Sequence, residues 1–345
     1  MIKKIFKNIK YRLSKNFSQI IPINNNKTFT SQRKFIDFDD HIIDMFVLAD
    51  GAFIKRKKHN GLNDPVAHQW ICNPCYGFHL SKGYINSKTG MLYLDSKKNH
   101  FTDTVWTWTR NFEKFNKKKI KTIHSKKPLY IFANQKYHGI FEDLAHILAL
   151  IDLGFEFDIA ISKTNKWMID LLKIFIDDHI KIIFFDSFDG WIYADELFIT
   201  TKSLLGEFIN PFFLKKLNKA ASDKLSTNSI DLSKYPKKIF ISRQDSKNRI
   251  FDENDLISIY EKKEYEKIIL SEISVKEQII LFQNLNACAG FHGAGFSNLV
   301  FGKNKIIVNE YYSRHHFNSC YSSISEYFGF DYQCDEIKNL TLPYS

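Results

Sequence analysis

The chain has few cysteines, five in 345 residues, and an odd number of this size fits a reducing compartment. It has no apolar run long enough to span a bilayer. Its start, MIKKIFKNIKYRLSK, lacks the uninterrupted apolar core and small-residue cleavage site of a signal peptide, so a cytoplasmic location is expected. It contains no G-x-x-x-x-G-K-[ST] loop, no aromatic RNP signature and no zinc-finger spacing. Glycine is scarce at fourteen residues, yet Gly290, Gly293 and Gly295 crowd around one histidine. The sequons at Asn16, Asn26 and Asn339 are short enough to arise by chance.

What is present is the balance of a soluble globular protein, 44% hydrophobic and 25% charged, at a length that suggests two domains. The net charge of +11 admits nucleic acid, an anionic membrane or anionic substrates as partners. The lysines are scattered (KRKK, NKKKIKTIHSKK) rather than set on a recognition motif, so a solvated basic surface with no nucleic-acid partner is expected. Near the start, Ile2, Ile5, Phe6, Ile9 and Leu13 fall at helical spacing between Lys3, Lys4, Lys7, Lys10, Arg12 and Lys15. This basic amphipathic segment, residues 1–20, suits an anionic membrane surface or packing on the domain.

Residues 41–127 read as short strands and turns, with a turn near Lys88–Gly90. From residue 128 strands and helices alternate, which argues for a parallel sheet covered by helices. PLYIFA, FDIAIS, KIIFF and WIYADELFIT read as strands, GIFEDLAHILALIDLG and NKWMIDLLKIFID as helices. Residues 215–235 are polar and read as a linker between an N-terminal domain (21–214) and a C-terminal one (236–345). The alternation then resumes through KKIFIS, YEKIIL, ACAGF and KIIVNEY. Two α/β domains create a cleft, the usual place for a substrate.

The stretch NACAGFHGAGFSNLVFGKNKIIVNEYY, 286–312, runs strand, glycine loop, helix, strand. A loop that leaves the carboxyl end of a strand and enters a helix is where open α/β sheets hold phosphates. Its order, G-x-x-G-x-G, is the reverse of the dinucleotide fingerprint. Glu310 ends the next strand, where a carboxylate can accept from two ribose hydroxyls. In FISRQDSKNR, 240–249, Ser242 and Arg243 directly follow a strand. A guanidinium there can clamp a diphosphate.

These pieces together resemble the glycosyltransferase family 61 catalytic domain. FHGAGFSNLVF is similar to that family's H-G-A-G-[LF]-[ST]-N-L-x-F signature at His292, Gly293, Ala294, Gly295, Ser297, Asn298 and Leu299. FISRQDSKNRIFDENDL resembles its strand–Ser-Arg–acidic helix segment, KIIVNEYY its strand ending in Glu, and YSSISEYFGFDYQ its closing helix and Tyr-containing strand. QKYHGIFEDLAHILAL resembles its Tyr-His opening at Tyr137, His138 and Glu142. Ala145 and His146 stand where the family often has Pro-[RK], and Phe296 where it usually has Leu.

The resemblance implies a GT-B fold, two Rossmann-like domains facing a cleft, and inverting sugar transfer from a nucleotide sugar, commonly a UDP-sugar. The acceptor would be a glycan or lipid-linked glycan in surface polysaccharide synthesis, capsule or lipopolysaccharide, on the inner face of a membrane. Donor contacts are expected from Ser242, Arg243, Arg249, His292, Gly293, Ala294, Gly295, Ser297, Asn298 and Glu310. No metal cofactor is expected, because a helix N-terminus and cationic side chains can neutralise the leaving diphosphate. His138, just past a strand's carboxyl end, and Glu142 are candidate bases for the acceptor hydroxyl. With His146 they form a polar stripe at i+4 steps opposite Ile140, Phe141, Leu144 and Ile147. A cap or structural hydrogen bond is the alternative role for such a histidine.

Two further patterns carry less. Asp37-Phe38-Asp39 has the form of the Asp-x-Asp metal motif of GT-A transferases, but no strand-rich Rossmann half precedes it, so a cap or loop is expected. His68, Cys72, Cys75 and His79 are zinc-competent in type and number, yet their segment reads as strands, where such spacing need not converge. The rivals to a transferase are an inactive glycan- or nucleotide-binding protein of the same fold, and a basic nucleic-acid-binding protein.

Overall fold

The structure, a computed structural model, describes residues 42–50, 52–55, 69–72, 75–87, 90–94, 99–101, 115–134, 136–201, 209–225, 230–246, 252–313 and 318–337. The N-terminal amphipathic segment, the Asp37–Asp39 motif, His68 and Arg249 lie outside these residues. Among the described residues no helix is long and apolar enough to cross a membrane.

The described part before residue 128 holds eight short strands: β1 (Ile42–Ala49), β2 (Ala52–Lys55), β3 (Gln69–Cys72), β4 (Cys75–Leu80), β5 (Gly83–Asn86), β6 (Leu92–Leu94), β7 (Asn99–Phe101) and β8 (Ile120–Thr122). The described part after it holds ten: β9 (Leu129–Phe132), β10 (Asp158–Ser162), β11 (Ile182–Phe185), β12 (Trp191–Ala194), β13 (Leu197–Thr200), β14 (Lys238–Ser242), β15 (Glu266–Ile269), β16 (Ala287–Phe291), β17 (Ile307–Ser313) and β18 (Asp331–Ile337). The protein is thus mixed α/β, with the strand–helix alternation starting where the hydrophobic pattern changes. Between β5 and β6 the Asn86 amide donates to the Met91 carbonyl at 2.8 Å and the Gly90 amide to the Asn86 carbonyl at 3.0 Å; Lys88 and Thr89, where the turn is expected, lie outside the described residues.

The first sheet runs β1-β4-β13-β9-β10-β11. Its last four strands are parallel, and β4 and β1 add antiparallel at one edge. The second runs β15-β14-β16-β17-β18, all parallel. Numbered along the chain this is 2-1-3-4-5, a doubly wound order. A third, β7-β6-β5-β12-β8, collects the short strands. WIYADELFIT was expected to be one strand. It breaks at Asp195–Glu196 into β12 and β13, which join different sheets, because the two acidic residues turn the chain at the surface.

Residues 215–235, expected to be a linker, open inside a helix, Pro211–Lys224. Asn210 caps it by accepting from the Phe212 amide at 3.0 Å, and Pro211 occupies its first turn. Phe213, Leu214, Leu217 and Ala221 line its buried face. That face is only a third of the helix, so the segment's average polarity conceals it. Further on, Asn284 Nδ2 donates to the carbonyls of Leu232 and Tyr235. The connection is therefore packed on the body of the protein.

One buried apolar cluster runs from the first sheet to the second. Helix Lys166–Phe175 packs on helix Val275–Asn284, and Phe175 stacks on Phe301 with centroids 6.1 Å apart. Asn218 Nδ2 donates to the carbonyls of Val300 and Gly302 at 2.9 and 2.8 Å. Helix Val275–Asn284 begins with a capping box between Ser274 and Glu277.

Candidate active site

Open α/β sheets hold ligands outside the carboxyl ends of their strands, where the strand order reverses. In the second sheet that point lies between β14 and β16. β14 ends at Ser242 and delivers Arg243; β16 ends at Phe291 and delivers His292 and Gly293. The Arg243 guanidinium spans the gap. Its Nη1 donates to the His292 carbonyl, and its Nη2 donates to Ser246 Oγ at 3.1 Å. A Cβ on Gly293 would lie 2.8 Å from Nη1 and 3.0 Å from Cζ. The Gly293 backbone is extended (φ 178°), so glycine is needed there for the close approach. Behind the arginine, buried Glu253 accepts from the Ser242 hydroxyl at 2.6 Å and the Arg243 amide at 2.9 Å. Burial raises the Glu253 carboxyl, opposed by those two donors and by the Arg243 charge.

The loop then enters the expected helix, Ala294–Phe301, which has 3₁₀ geometry. Arg243, His292, Gly293 and Ala294 gather at the crevice. Gly295 sits elsewhere in the packing. Its φ is not left-handed, and a Cβ there would meet Leu270 Cδ1 at 2.8 Å and Ile241 Cγ2 at 3.1 Å. Its missing side chain brings the helix onto the sheet. Asn298 is buried and donates to Gln278 Oε1 and the Gly295 carbonyl, each at 3.2 Å. It braces the helix from inside, and Ser297 is buried beside Tyr321. Phe296 packs in the core, 5.5 Å from the Tyr321 ring.

Glu310 departs most from its expected role. Its residue is 0% exposed. One carboxylate oxygen lies 2.5 Å from His292 Nδ1, and the other accepts from the Tyr332 hydroxyl at 2.6 Å. A carboxylate with no exposed surface cannot receive ribose hydroxyls in this geometry; it stands behind His292.

The parallel strands of the first sheet reverse order between β9 and β13. A cavity opens there, lined among others by Asn134, Glu142, Asp143, His146, Thr200 and Thr201. The helix that supplies three of these begins as the turn Lys136–His138, runs in π geometry through Gly139–Leu144 and ends as Ala145–Asp152. Wide π turns concentrate at functional sites. Asp143 lines the same wall as Glu142 and His146, as its place one residue after the first and three before the second allows. The expected polar stripe is accordingly a buried one: residues 139–150 are all buried.

Asp143 accepts from the Tyr130 hydroxyl at 3.1 Å and the Asn134 amide at 2.9 Å. Burial pushes its carboxyl up to about 7, the Asn134 amide opposing and the Glu142 charge adding to the rise. His146 is held by Thr200 Oγ1 at 2.8 Å and lies 3.7 Å from Cys75 Sγ. His138, about one-third exposed, has Nδ1 3.6 Å from Glu142 Oε2. Its neighbour Tyr137 meets Tyr321 edge-on at 5.9 Å, and the turn Lys136–His138 packs on the 3₁₀ helix. His138 thus lies where the cavity side of the molecule meets the glycine loop.

Of the four zinc-competent residues, His68 lies outside the described residues, and Cys72, Cys75 and His79 do not form a metal-binding group. Cys75 Sγ donates to the Thr201 carbonyl at 3.0 Å, and His79 Nε2 faces Glu196 at 2.8 Å while its ring stacks on Phe198. Burial pushes the Cys72 thiol up to about 12. Among the described residues no cluster of three His, Cys, Asp or Glu side chains can hold a metal ion. Sequence reasoning missed Asp143, Glu253 and Tyr332. Each carried a signal: Asp143 stands three residues before His146 on the predicted helix, Glu253 is the acid preceding the helix Asn254–Glu261, and Tyr332 lies on the Tyr-containing closing strand.

Compared with known proteins, residues 137–309, half of the chain, match the family model described as Glycosyltransferase 61. That span holds His138, Arg243 and the glycine loop. No curated protein matches the chain.

Proposed function

The chain belongs to glycosyltransferase family 61, and on that premise we propose that it moves a sugar, with inversion, from a UDP-sugar to a glycan or lipid-linked glycan in surface polysaccharide synthesis. The observation that carries the donor assignment is the Arg243 guanidinium laid across Gly293 at the β14/β16 crevice. Arg243, His292 and the backbone of Gly293 and Ala294 receive the diphosphate. The first free amides of the 3₁₀ helix point their positive ends the same way.

Two Rossmann-like sheets, each with an order reversal, support a GT-B arrangement in which the β9/β13 cavity takes the acceptor. The acceptor oxygen attacks the anomeric carbon from the face opposite the diphosphate. The carbon–phosphate-oxygen bond breaks, the diphosphate keeps the electron pair, and the acceptor proton passes to His138, with Glu142 beside it. Cationic and backbone groups offset the charge on the leaving diphosphate, so no metal is required. The basic N-terminal segment suits peripheral attachment to an anionic inner membrane face. A thermal-shift panel of nucleotide sugars tests the donor class, since a ligand that binds only the folded state raises its melting temperature. UDP-sugars should shift it, and a panel without response would contradict the proposal.

A further inference from the structure

We propose that the β9/β13 cavity takes one uncharged, hydroxyl-bearing substituent of the acceptor sugar and turns away a carboxylate in its place. The proposal rests on the acceptor entering at that cavity. Glu142 ties the cavity to the chemistry. It lines the wall, and its Oε2 lies 3.6 Å from Nδ1 of His138, the proposed base. The cavity thus flanks the place of the attacking oxygen.

Size limits what can enter. The cavity measures about 50 Å³, where a single water needs ~10–15 Å³. That is room for a few heavy atoms, such as a hydroxymethyl arm, and too little for a pyranose ring. Charge limits it further. Among the described residues that line the cavity none is lysine or arginine, and two, Glu142 and Asp143, are buried carboxyls. The Glu142 charge already raises the Asp143 carboxyl, so a third anion would meet both where the dielectric is low. Of these lining side chains only His146 can take a positive charge. Its Nδ1 is 2.8 Å from Thr200 Oγ1 and its Nε2 3.7 Å from Cys75 Sγ, so both nitrogens face protein atoms. Hydrogen bonding then favours a hydroxyl. The wall mixes carboxyl oxygens with the hydroxyls of Thr200 and Thr201, the latter accepting from the Tyr76 amide at 2.9 Å. A hydroxyl both donates and accepts, so it suits either kind of partner, whereas a carboxylate only accepts. The rival occupant of such a space is buried water.

The test uses the full-length protein saturated with UDP and matched octyl glycosides. The glucoside, galactoside and mannoside are compared with the corresponding uronides, which differ only in a carboxylate at C6, and saturation-transfer NMR measures their binding. At least one hexoside should bind, and its uronide about tenfold or more weakly. Two variants probe the wall, with thermal melts to confirm that each is folded. Asn134 is half-buried, and its backbone amide donates to Asp143. Asn134→Lys adds a cation there and should bring the uronide within about threefold of the hexoside. Asp143→Asn, which keeps an acceptor for Tyr130, should narrow the difference in the same direction. If one variant does not fold, the other and the wild type decide. A uronide that binds as well as its hexoside while the variants alter hexoside affinity overturns the proposal alone. Glycoside binding that both variants leave unchanged places the acceptor elsewhere and overturns the reading beneath as well. Binding of UDP but of no hexoside overturns the proposal and leaves the cavity to water.

Discussion

Arg243 and Gly293 are in such close contact that one methyl group at position 293 would lie 2.8 Å from the guanidinium Nη1. Gly293→Ala should therefore displace Arg243 from its seat between β14 and β16. The variant should fold, because the Gly293 backbone is extended and open to any residue. Donor affinity should fall about tenfold through the lost placement of one charged fork. Titration of UDP into the folded variant measures this, and wild-type affinity would show that the arginine's position does not matter.

His138 is proposed to take the acceptor proton. His138→Ala should lower turnover by the ~10²–10⁴-fold typical of general-base loss while leaving donor affinity nearly unchanged. Steady-state kinetics with donor binding measured separately would decide it. Full activity would move the role to Glu142 or Asp143.

The buried Asp143 carboxyl makes a stability prediction with a definite sign. Its folded value of about 7 lies above the ordinary 3.8, so the folded protein binds the proton more tightly than the unfolded chain. That contribution is complete below about pH 4 and is lost as the pH rises through about 7. Asp143→Asn cannot titrate, so between pH 4 and 7 its melting temperature should fall less than that of the wild type. Parallel curves would mean that Asp143 ionises normally in the fold.

Chelation with EDTA should leave transfer intact, because protein groups are proposed to neutralise the leaving diphosphate. An absolute requirement for Mg²⁺ or Mn²⁺ in the transfer assay would contradict this.

Much of the architecture was legible because periodicity and turn chemistry act locally. β9, β10, β11, β14, β15 and β16 fall within their predicted runs, and β17 begins inside its run and extends two residues past it, to Ser313. His292, Gly293 and Arg243 were legible as a group because residues at carboxyl ends of parallel strands must share one edge of a sheet. What failed depended on neighbours remote in sequence. Glu310 looked available until Tyr332, twenty-two residues further along, and His292 engaged both its oxygens. Gly295 looked like a ligand position until Leu270 and Ile241 were seen against it. Asp143 is a different case: it stands three residues before His146, a neighbour on the same helix, and was passed over. The helix Pro211–Lys224 was hidden because its buried stripe is narrow and partly built from Ala221.

The central claim is that Arg243 receives the donor's diphosphate at the β14/β16 crevice. Its most direct measurement is a calorimetric titration of wild type and Arg243→Lys with UDP. The lysine keeps the charge but loses the planar fork that reaches both the His292 carbonyl and Ser246. The account predicts saturable binding to the wild type and a loss of about tenfold or more in the variant. Equal affinity in the two proteins would contradict it.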